Sequence, residues 1–444
     1  MSRVGLIGDN SIEYIEKLIE IWNNGDCAVM IDWRIPHNTA IEMMRDASVD
    51  KCYIDKQLAG QINEGISDIE FIQFESDKSS ARLVPEDVYQ KFSSNYSKEE
   101  AVILYSSGTT GKAKGVILSH YAINLNADLV AEYMALSEND CLYIVKTLAH
   151  AATLVGELLA GLKSHAKILI SSTISNPRHT LEKINEYEVT TICVNPTLLR
   201  LYTLTANTKK MSFDCLKTIY TSGAIAEVKL LEKAQETFCR TEILNVYGLS
   251  EAGPRVSAQM RGKNNVIGSV GKPLRSIDVA VVSNDGKPVA AMEKGIIHVN
   301  TPCRFMGYVS GKAMRTSLYN GWLNTGDIGY TDSDGNLFIT GRADSMITIG
   351  SHNVYPEEIE AFIMKFSDIR DCIIISLKND IYESKMVCFY EADADISHDL
   401  RKLCLNNLAP YEIPSEFVRI SKIPTNANGK KVRDVSMYSS YISS

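Results

Sequence analysis

The chain has 444 residues, 45% of them hydrophobic and 23% charged, with a formal net charge of −8 and a pI near 5.6. That length exceeds what one simple core holds and predicts two or three domains. The acidic balance excludes a nucleic-acid protein held by its overall field, and no stretch is apolar for long enough to span a bilayer. The N-terminus has no long apolar signal-like core, so the expected location is cytoplasmic, without a membrane partner. Ten cysteines contain no C-x-x-C pair, which argues against a zinc ribbon or a thioredoxin-type site. Most lie in apolar runs and read as small core residues in a reducing compartment.

Val4 to Ile7 predicts a short buried strand, followed by a helix capped by Ser11. Its apolar positions Ile12, Ile15, Leu18, Ile19 and Trp22 recur at helical spacing and stop near Gly25. Ala28 to Ile31 is the next strand and Ile41 to Ala47 begins another helix. This alternation implies parallel strands with crossovers. Residues 61 to 99 are more polar and read as irregular connection. A strand at Ala101 to Tyr105 feeds Ser106-Ser107-Gly108-Thr109-Thr110-Gly111-Lys112-Ala113-Lys114-Gly115, and a helix follows from about His120 to Tyr133. Small, hydroxylated and glycine residues let backbone N–H groups approach a polyphosphate, and lysines add mobile charge. The spacing is not that of a Walker A loop, because Ala113 stands where its second glycine belongs.

The alternation continues through Cys141 to Val145, a helix from Thr153 to Leu162, Ala166 to Ile170, a helix from Leu181 to Tyr187, Thr191 to Val194, Lys217 to Tyr220 and Glu242 to Val246. From 265 onward short β-type runs with turns predict a β-rich subdomain, for example Val279 to Val282 before Asn284-Asp285-Gly286, then Ile296 to Asn300, with Asp332 to Gly335 another turn between strands. Beyond 345 the pattern is α+β: strands at Ile347 to Ile349, Cys372 to Leu377 and Met386 to Tyr390, with helices at Glu357 to Lys365 and Asp399 to Leu408.

Four further stretches carry groups that suit nucleotide chemistry. Asn245-Val246-Tyr247-Gly248-Leu249-Ser250-Glu251 ends a strand with an aromatic that can stack on a base, a glycine that admits close approach, and a carboxylate that can hold Mg²⁺. Asp327, after Thr325-Gly326, can accept from a ribose diol, and Arg342 in Gly341-Arg342-Ala343-Asp344 adds a fork-shaped cation. Asn426-Ala427-Asn428-Gly429-Lys430 offers a lysine on a turn. Each of these alone fits an ordinary turn, cap or solvated tail.

In this order, from about Val4 to Arg433, the stretches resemble the adenylate-forming superfamily of acyl-CoA synthetases, peptide-synthetase adenylation domains and luciferases. The resemblance implies an α/β fold: a large N-terminal domain of parallel βα-type sheets over 1–341, its β-rich part at about 265–341, a hinge at 342–344 and a small mobile α+β lid at 345–444. It implies ATP-dependent conversion of a carboxylic acid to acyl-AMP, then transfer to a thiol with release of AMP. ATP, Mg²⁺ and coenzyme A, or the phosphopantetheine arm of an acyl or aryl carrier protein, are the implied cofactors and partners. A non-catalytic binder of nucleotide or acyl-adenylate is the competing class; it predicts loss of Lys430 or Glu251, and both are present.

By the same resemblance Ser106, Ser107, Gly108, Thr109, Thr110, Gly111 and Lys114 line the ATP phosphates, with Thr109 and Lys114 taking part in catalysis. Gly223, Ala224, Asn245, Tyr247, Gly248 and Ser250 border the nucleotide, Tyr247 stacking on adenine. Glu251 binds Mg²⁺, Asp327 and Arg342 hold the ribose, and Lys430 is the lysine of the first half-reaction. His150, Ala151, Thr153, Ser222, Gly223 and Gly248 border the acyl group; Asp344 is the hinge; Gly350 and Ser351 border the thiol tunnel. Peptide-synthetase domains carry an aspartate where Ala151 stands, so a substrate α-ammonium would lie unpaired and an α-amino acid is disfavoured. Small residues at 151, 152, 222 and 224 leave room for an aryl ring or an alkyl chain. The Asn353 to Glu360 run is closer to acyl-CoA synthetases than to carrier-loading enzymes. Departures are Ala113 for the commoner proline, a late start before Val4, Gly295-Ile296-Ile297 for Gly-Glu-Leu, and Thr348 for a common lysine.

Overall fold

Uninterrupted apolar runs such as Cys27–Asp32 are buried along their whole length, as strands covered on both faces must be. The computed structural model describes all residues except 63–66, 79, 107–113, 174–175, 284, 312–320, 350–351, 367, 380–382, 427–430 and 442–444, together with the side chains of 61, 62, 106, 348, 352, 353, 378, 379, 383 and 384. Two compact units emerge. The first comprises Met1–Ala280, His298–Thr325 and Ser333–Leu337; the second comprises Val281–Ile297, Gly326–Asp332 and Phe338–Ser444.

The first unit contains two large sheets. One has the order Gly307–Tyr308, Lys114–Ser119, Glu100–Ser106, Cys27–Asp32, Arg3–Gly8, Lys51–Asp55, Glu70–Phe74. Pairing is parallel from Glu100–Ser106 through to Glu70–Phe74 and antiparallel at the two strands on the other side. Ile7, Val29, Ile31, Ile54 and Ile103 pack against Met43 and Met44 to form its core. The other sheet runs Lys272–Pro273, Ser257–Ala258, Glu242–Tyr247, Thr218–Thr221, Thr191–Val194, Cys141–Ile144, Lys167–Ile170, Arg82–Leu83, with a parallel centre from Glu242–Tyr247 to Lys167–Ile170. Ser11 caps the first helix, Ile12–Asn23, by accepting from the Tyr14 N–H. Two polar residues after the first strand tie the sheets together: Asp9 accepts from Thr173 Oγ1 at 2.7 Å, while Asn10 donates to Lys146 O and accepts from Leu148 N.

The second unit holds most of a four-stranded sheet, ordered Asp278–Val282, Gly295–Asn300, Leu323–Thr331, Leu337–Arg342, and a three-stranded sheet, Asp371–Asn379, Glu383–Glu391, Glu416–Arg419. Ile359, Ile363, Cys372, Ile374 and Cys388 form its core. An ionic knot stitches its ends: Arg433 donates to both oxygens of Glu360 at 2.6 and 2.9 Å and to Glu357, which also accepts from Ser345 at 2.7 Å.

Several expectations need correction. Residues 61 to 99 are not merely irregular: they contain the strands Glu70–Phe74 and Arg82–Leu83 and the helix Glu86–Lys91. Glu70–Phe74 lies at a sheet edge, so polar residues interrupt its apolar pattern. The expected helix from Thr153 to Leu162 is three pieces, Ala151–Thr153, a π-helical Leu154–Leu159 and Ala160–Lys163. A strand, Lys114–Ser119, precedes the helix His120–Met134. All ten cysteines are free, and Cys239 alone is exposed. Among the described residues no helix is long and apolar enough to cross a membrane.

Candidate active site

Strands Glu100–Ser106 and Lys114–Ser119 form a hairpin whose last register pairs are Tyr105 with Gly115 and Ser106 with Lys114. Its connection holds Ser107, Gly108, Thr109, Thr110 and Gly111, which lie outside the described residues. Gly115 is required by packing: a Cβ there would come within 2.7 Å of Val309 Cγ2 and 3.1 Å of the Tyr105 ring. That space lets Gly307–Tyr308 pair along the hairpin, Tyr308 opposite Val116. The Lys114 ammonium then sits 5.6 Å from the centroid of the Tyr308 ring, within cation–π range. The Tyr308 hydroxyl donates to Glu251 Oε1 at 2.9 Å, and the Phe305 N–H donates to the Glu251 carbonyl at 2.9 Å. Lys114 and Glu251, expected from sequence, are thus joined by Tyr308, which was not. Nothing near Tyr308 in sequence marks it, because its partner lies 57 positions away.

Glu251 rides a 3₁₀ turn, Ser250–Ala252, closed by Gly253 at φ +98°. Before it, Tyr247 and Asn245 are buried at the end of Glu242–Tyr247. The Asn245 N–H donates to Gln259 Oε1 at 2.8 Å and its carbonyl accepts from the Gln259 N–H, fixing that strand end. Gly248 packs so tightly that a Cβ would lie 1.8 Å from Pro254 O. Ser222 is buried and donates its N–H to Val194 O, whereas Gly223, at φ +91°, and Ala224 are exposed.

His150 immediately precedes Ala151–Thr153, in which Ala151 and Thr153 are buried. Its Nε2 lies 3.6 Å from Asp32 Oδ2, and Arg34 grips both Asp32 oxygens, Nε at 2.9 Å and Nη2 at 2.6 Å. Burial alone would push the Asp32 carboxyl up, yet the Arg34 fork and the imidazole hold it well below the usual carboxylate range. Neither Asp32 nor Arg34 was anticipated. Their short Asp-Trp-Arg spacing at a strand end was the available signal.

In the second unit Arg342 joins two expected residues. It donates from Nη1 to Asp327 Oδ1 at 2.8 Å and from Nε to Asp344 Oδ1 at 3.2 Å. Burial would lower its pKa, but these two carboxylates drive it up and keep it charged. Gly350, Ser351 and Lys430 lie outside the described residues, as does the Thr348 side chain.

Profiles for the AMP-binding enzyme family and for the AMP-binding enzyme C-terminal domain match residues 1–309 and 358–430. The chain is an AMP-binding enzyme. Its relatives include the 2-succinylbenzoate–CoA ligase of Geobacillus kaustophilus, 27% identical over 97% of this chain and 86% of the relative. The indoleacetate–CoA ligase of Aromatoleum aromaticum is 24% identical over 98% and 87%. In fold, this AMP-binding enzyme is similar to an anthranilate CoA ligase in complex with anthranoyl-AMP (TM-score 0.86, 20% identity, 99% and 87% coverage). It is likewise similar to the Bacillus subtilis o-succinylbenzoate CoA synthetase bound to its acyl-adenylate (TM-score 0.82, 23% identity, 97% and 87% coverage). It is an adenylate-forming, acyl-CoA synthetase-like enzyme of α/β architecture.

Proposed function

We propose that this enzyme uses ATP to convert an aryl-type carboxylic acid into its acyl-adenylate and then passes the acyl group to the thiol of coenzyme A. The observation that carries the reading is the convergence of Lys114, Tyr308 and Glu251 at the mouth of a Gly/Ser/Thr hairpin loop. The named relatives act on ring-bearing acids and on coenzyme A, which favours that acid class and that acceptor.

A carboxylate carbon is a poor electrophile until its oxygen carries a good leaving group. The substrate carboxylate oxygen attacks the α-phosphorus of ATP and the bond to pyrophosphate breaks, leaving acyl-AMP. Ser106, Ser107, Gly108, Thr109, Thr110, Gly111 and Lys114 would hold the phosphates through backbone and side-chain donors. Lys430 would offset charge developing at the α-phosphate. Glu251, an oxygen donor steadied through one oxygen by Tyr308, suits Mg²⁺, which when bound with ATP supplies charge neutralisation at the phosphates. Tyr247 stacks on adenine beside Gly223, Ala224, Asn245, Gly248 and Ser250, while Asp327, oriented by Arg342, accepts from the ribose hydroxyls. His150, Ala151, Thr153, Ser222, Gly223 and Gly248 border the acyl group.

In the second step the thiolate attacks the acyl carbonyl and the bond to AMP breaks. The C-terminal part, about 345–444, would swing about Asp344 to withdraw Lys430 and bring Gly350 and Ser351 beside the entering thiol.

ATP–pyrophosphate exchange over a panel of aryl, alkyl and amino acids tests the reading. Exchange confined to the aryl acids, followed by thioester formation with coenzyme A, supports it; exchange confined to another class would replace the acid. No exchange despite ATP binding sinks it, and thioester formation only with a holo-carrier protein would replace the acceptor. Tyr308→Phe keeps the ring over Lys114 but loses the hydroxyl to Glu251. One hydrogen bond to a charged group, about 1.5 kcal/mol, predicts a roughly tenfold rise in KM for MgATP with little change for the acid. An unchanged KM for MgATP would remove Tyr308 from the nucleotide site.

A further inference from the structure

The carboxyl ends of two parallel strands converge on His150. Cys27–Asp32 ends on Asp32, level with Gly8 of the neighbouring strand. Residues 145–150 leave the end of Cys141–Ile144, in the other large sheet. Open α/β sheets bind their ligands outside such ends. Asn10, two residues past Gly8, clamps the second segment, donating to Lys146 O at 2.8 Å and accepting from Leu148 N at 2.9 Å. Thr147 Oγ1 accepts from Ala149 N at 3.2 Å, and His150 O accepts from Thr153 N and Leu154 N at 3.0 and 2.9 Å. The His150 backbone is therefore fixed from both sides.

Its ring is steered as well. Nε2 lies 3.6 Å from Asp32 Oδ2, close enough for a charge contact and long for a hydrogen bond. Asp32 cannot turn away, because Arg34 occupies both of its oxygens. Arg34 N and Nε donate to Oδ1 at 3.1 and 2.9 Å, and Nη2 donates to Oδ2 at 2.6 Å. Such a two-pronged grip fixes direction as well as charge. Ending the strand requires neither a carboxylate 8% exposed nor a ring aimed at it, and burying the ion pair carries a desolvation cost. Of the three candidate acyl residues on this turn, Ala151 and Thr153 are 3% and 1% exposed. The His150 side chain, 29% exposed, is the one whose surface a bound acid can touch.

We propose that Asp32, held by Arg34, is a positioning residue that locks the His150 ring as a fixed wall of the acyl pocket, and that this wall sets the length of acid accepted. The inference rests on the adenylation reading and on the place of His150 beside the acyl group. A ring free to rotate yields to a longer substrate, whereas a held ring rejects it or misplaces its carboxylate.

ATP–pyrophosphate exchange with two series, benzoate, phenylacetate and 3-phenylpropanoate, and hexanoate and octanoate, tests this. Asp32→Asn keeps the size of the side chain and removes its charge. It should raise KM for the preferred acid about tenfold and flatten the spread of kcat/KM across its series about tenfold, with KM for MgATP unchanged. His150→Phe leaves Asp32 no imidazole to hold, so in that background Asp32→Asn should change neither quantity further. Equal effects of Asp32→Asn in both backgrounds would make Asp32 a structural residue and overturn the proposal. A folded Asp32→Asn enzyme with the wild-type KM and spread overturns it too, as does a wild type that treats the homologues alike. If Asp32→Asn does not fold, Arg34→Met decides: it should shift both quantities in the same direction by a smaller factor, and no shift sinks the idea. Absence of exchange with every acid would instead overturn the adenylation reading itself.

Discussion

Lys430→Ala is expected to lower ATP–pyrophosphate exchange by about 10²–10³-fold, about 2.7–4 kcal/mol of transition-state stabilisation, the loss typical of removing one preorganised donor. The fold should survive, because the residues that follow are anchored independently. Lys431 donates to Cys372 O at 2.7 Å and pairs with Asp371 at 2.5 Å, and Arg433 is locked onto Glu360. The two half-reactions separate the role of Lys430 from general damage. Synthetic acyl-adenylate supplied with coenzyme A should be converted at nearly the wild-type rate, since that step needs no charge at Lys430. Equal losses in both half-reactions would mean that Lys430 supports structure, and unchanged exchange would remove it from the chemistry.

Gly248→Ala is expected to cost about 1–3 kcal/mol of stability and about 10²-fold in kcat/KM. The added Cβ would lie 1.8 Å from Pro254 O, 2.7 Å from Pro254 C and 3.0 Å from Arg255 Cα. All three are backbone atoms, so no rotamer change relieves the clash and the chain itself must move. Tyr247 lies directly before the glycine and Glu251 only three residues beyond it, so both candidate nucleotide contacts shift with it. Thermal unfolding and exchange kinetics on the same preparation check both parts. A variant that melts and turns over like the wild type would show that the turn yields without consequence.

The parallel centres of both large sheets were legible because strands buried on both faces read as plain apolar runs. Ala28 to Ile31 and Thr191 to Val194 emerge as strands within a residue or two. The strands outside those centres were not. Glu70–Phe74 sits at an edge with polar residues breaking its apolar pattern, and Lys114–Ser119 pairs antiparallel between Glu100–Ser106 and Gly307–Tyr308, partners chosen by tertiary pairing that no local pattern encodes. The same division runs through the site. Lys114, Glu251, Asp327, Arg342 and Asp344 could be named because each sits in a short motif. Their connections could not: Tyr308 reaches Glu251 only because Gly115 admits its strand, and Arg342 bridges Asp327 and Asp344 by folding back over 15 residues.

The interleaved strand order also sets a timetable. Arg3–Gly8 lies between Cys27–Asp32 and Lys51–Asp55, yet the sheet's flanking strand is Gly307–Tyr308. A nascent chain can begin this sheet within its first tens of residues but must wait for residue 308 to complete it. At bacterial or eukaryotic elongation speeds that is roughly 15–60 s of synthesis. The late strand brings the tyrosine that joins Lys114 to Glu251, so ribosome-bound or truncated chains ending before it lack the assembled cluster. Asp327, Arg342 and Lys430 follow later still, so such chains also lack the residues proposed to hold the ribose and to serve the first half-reaction.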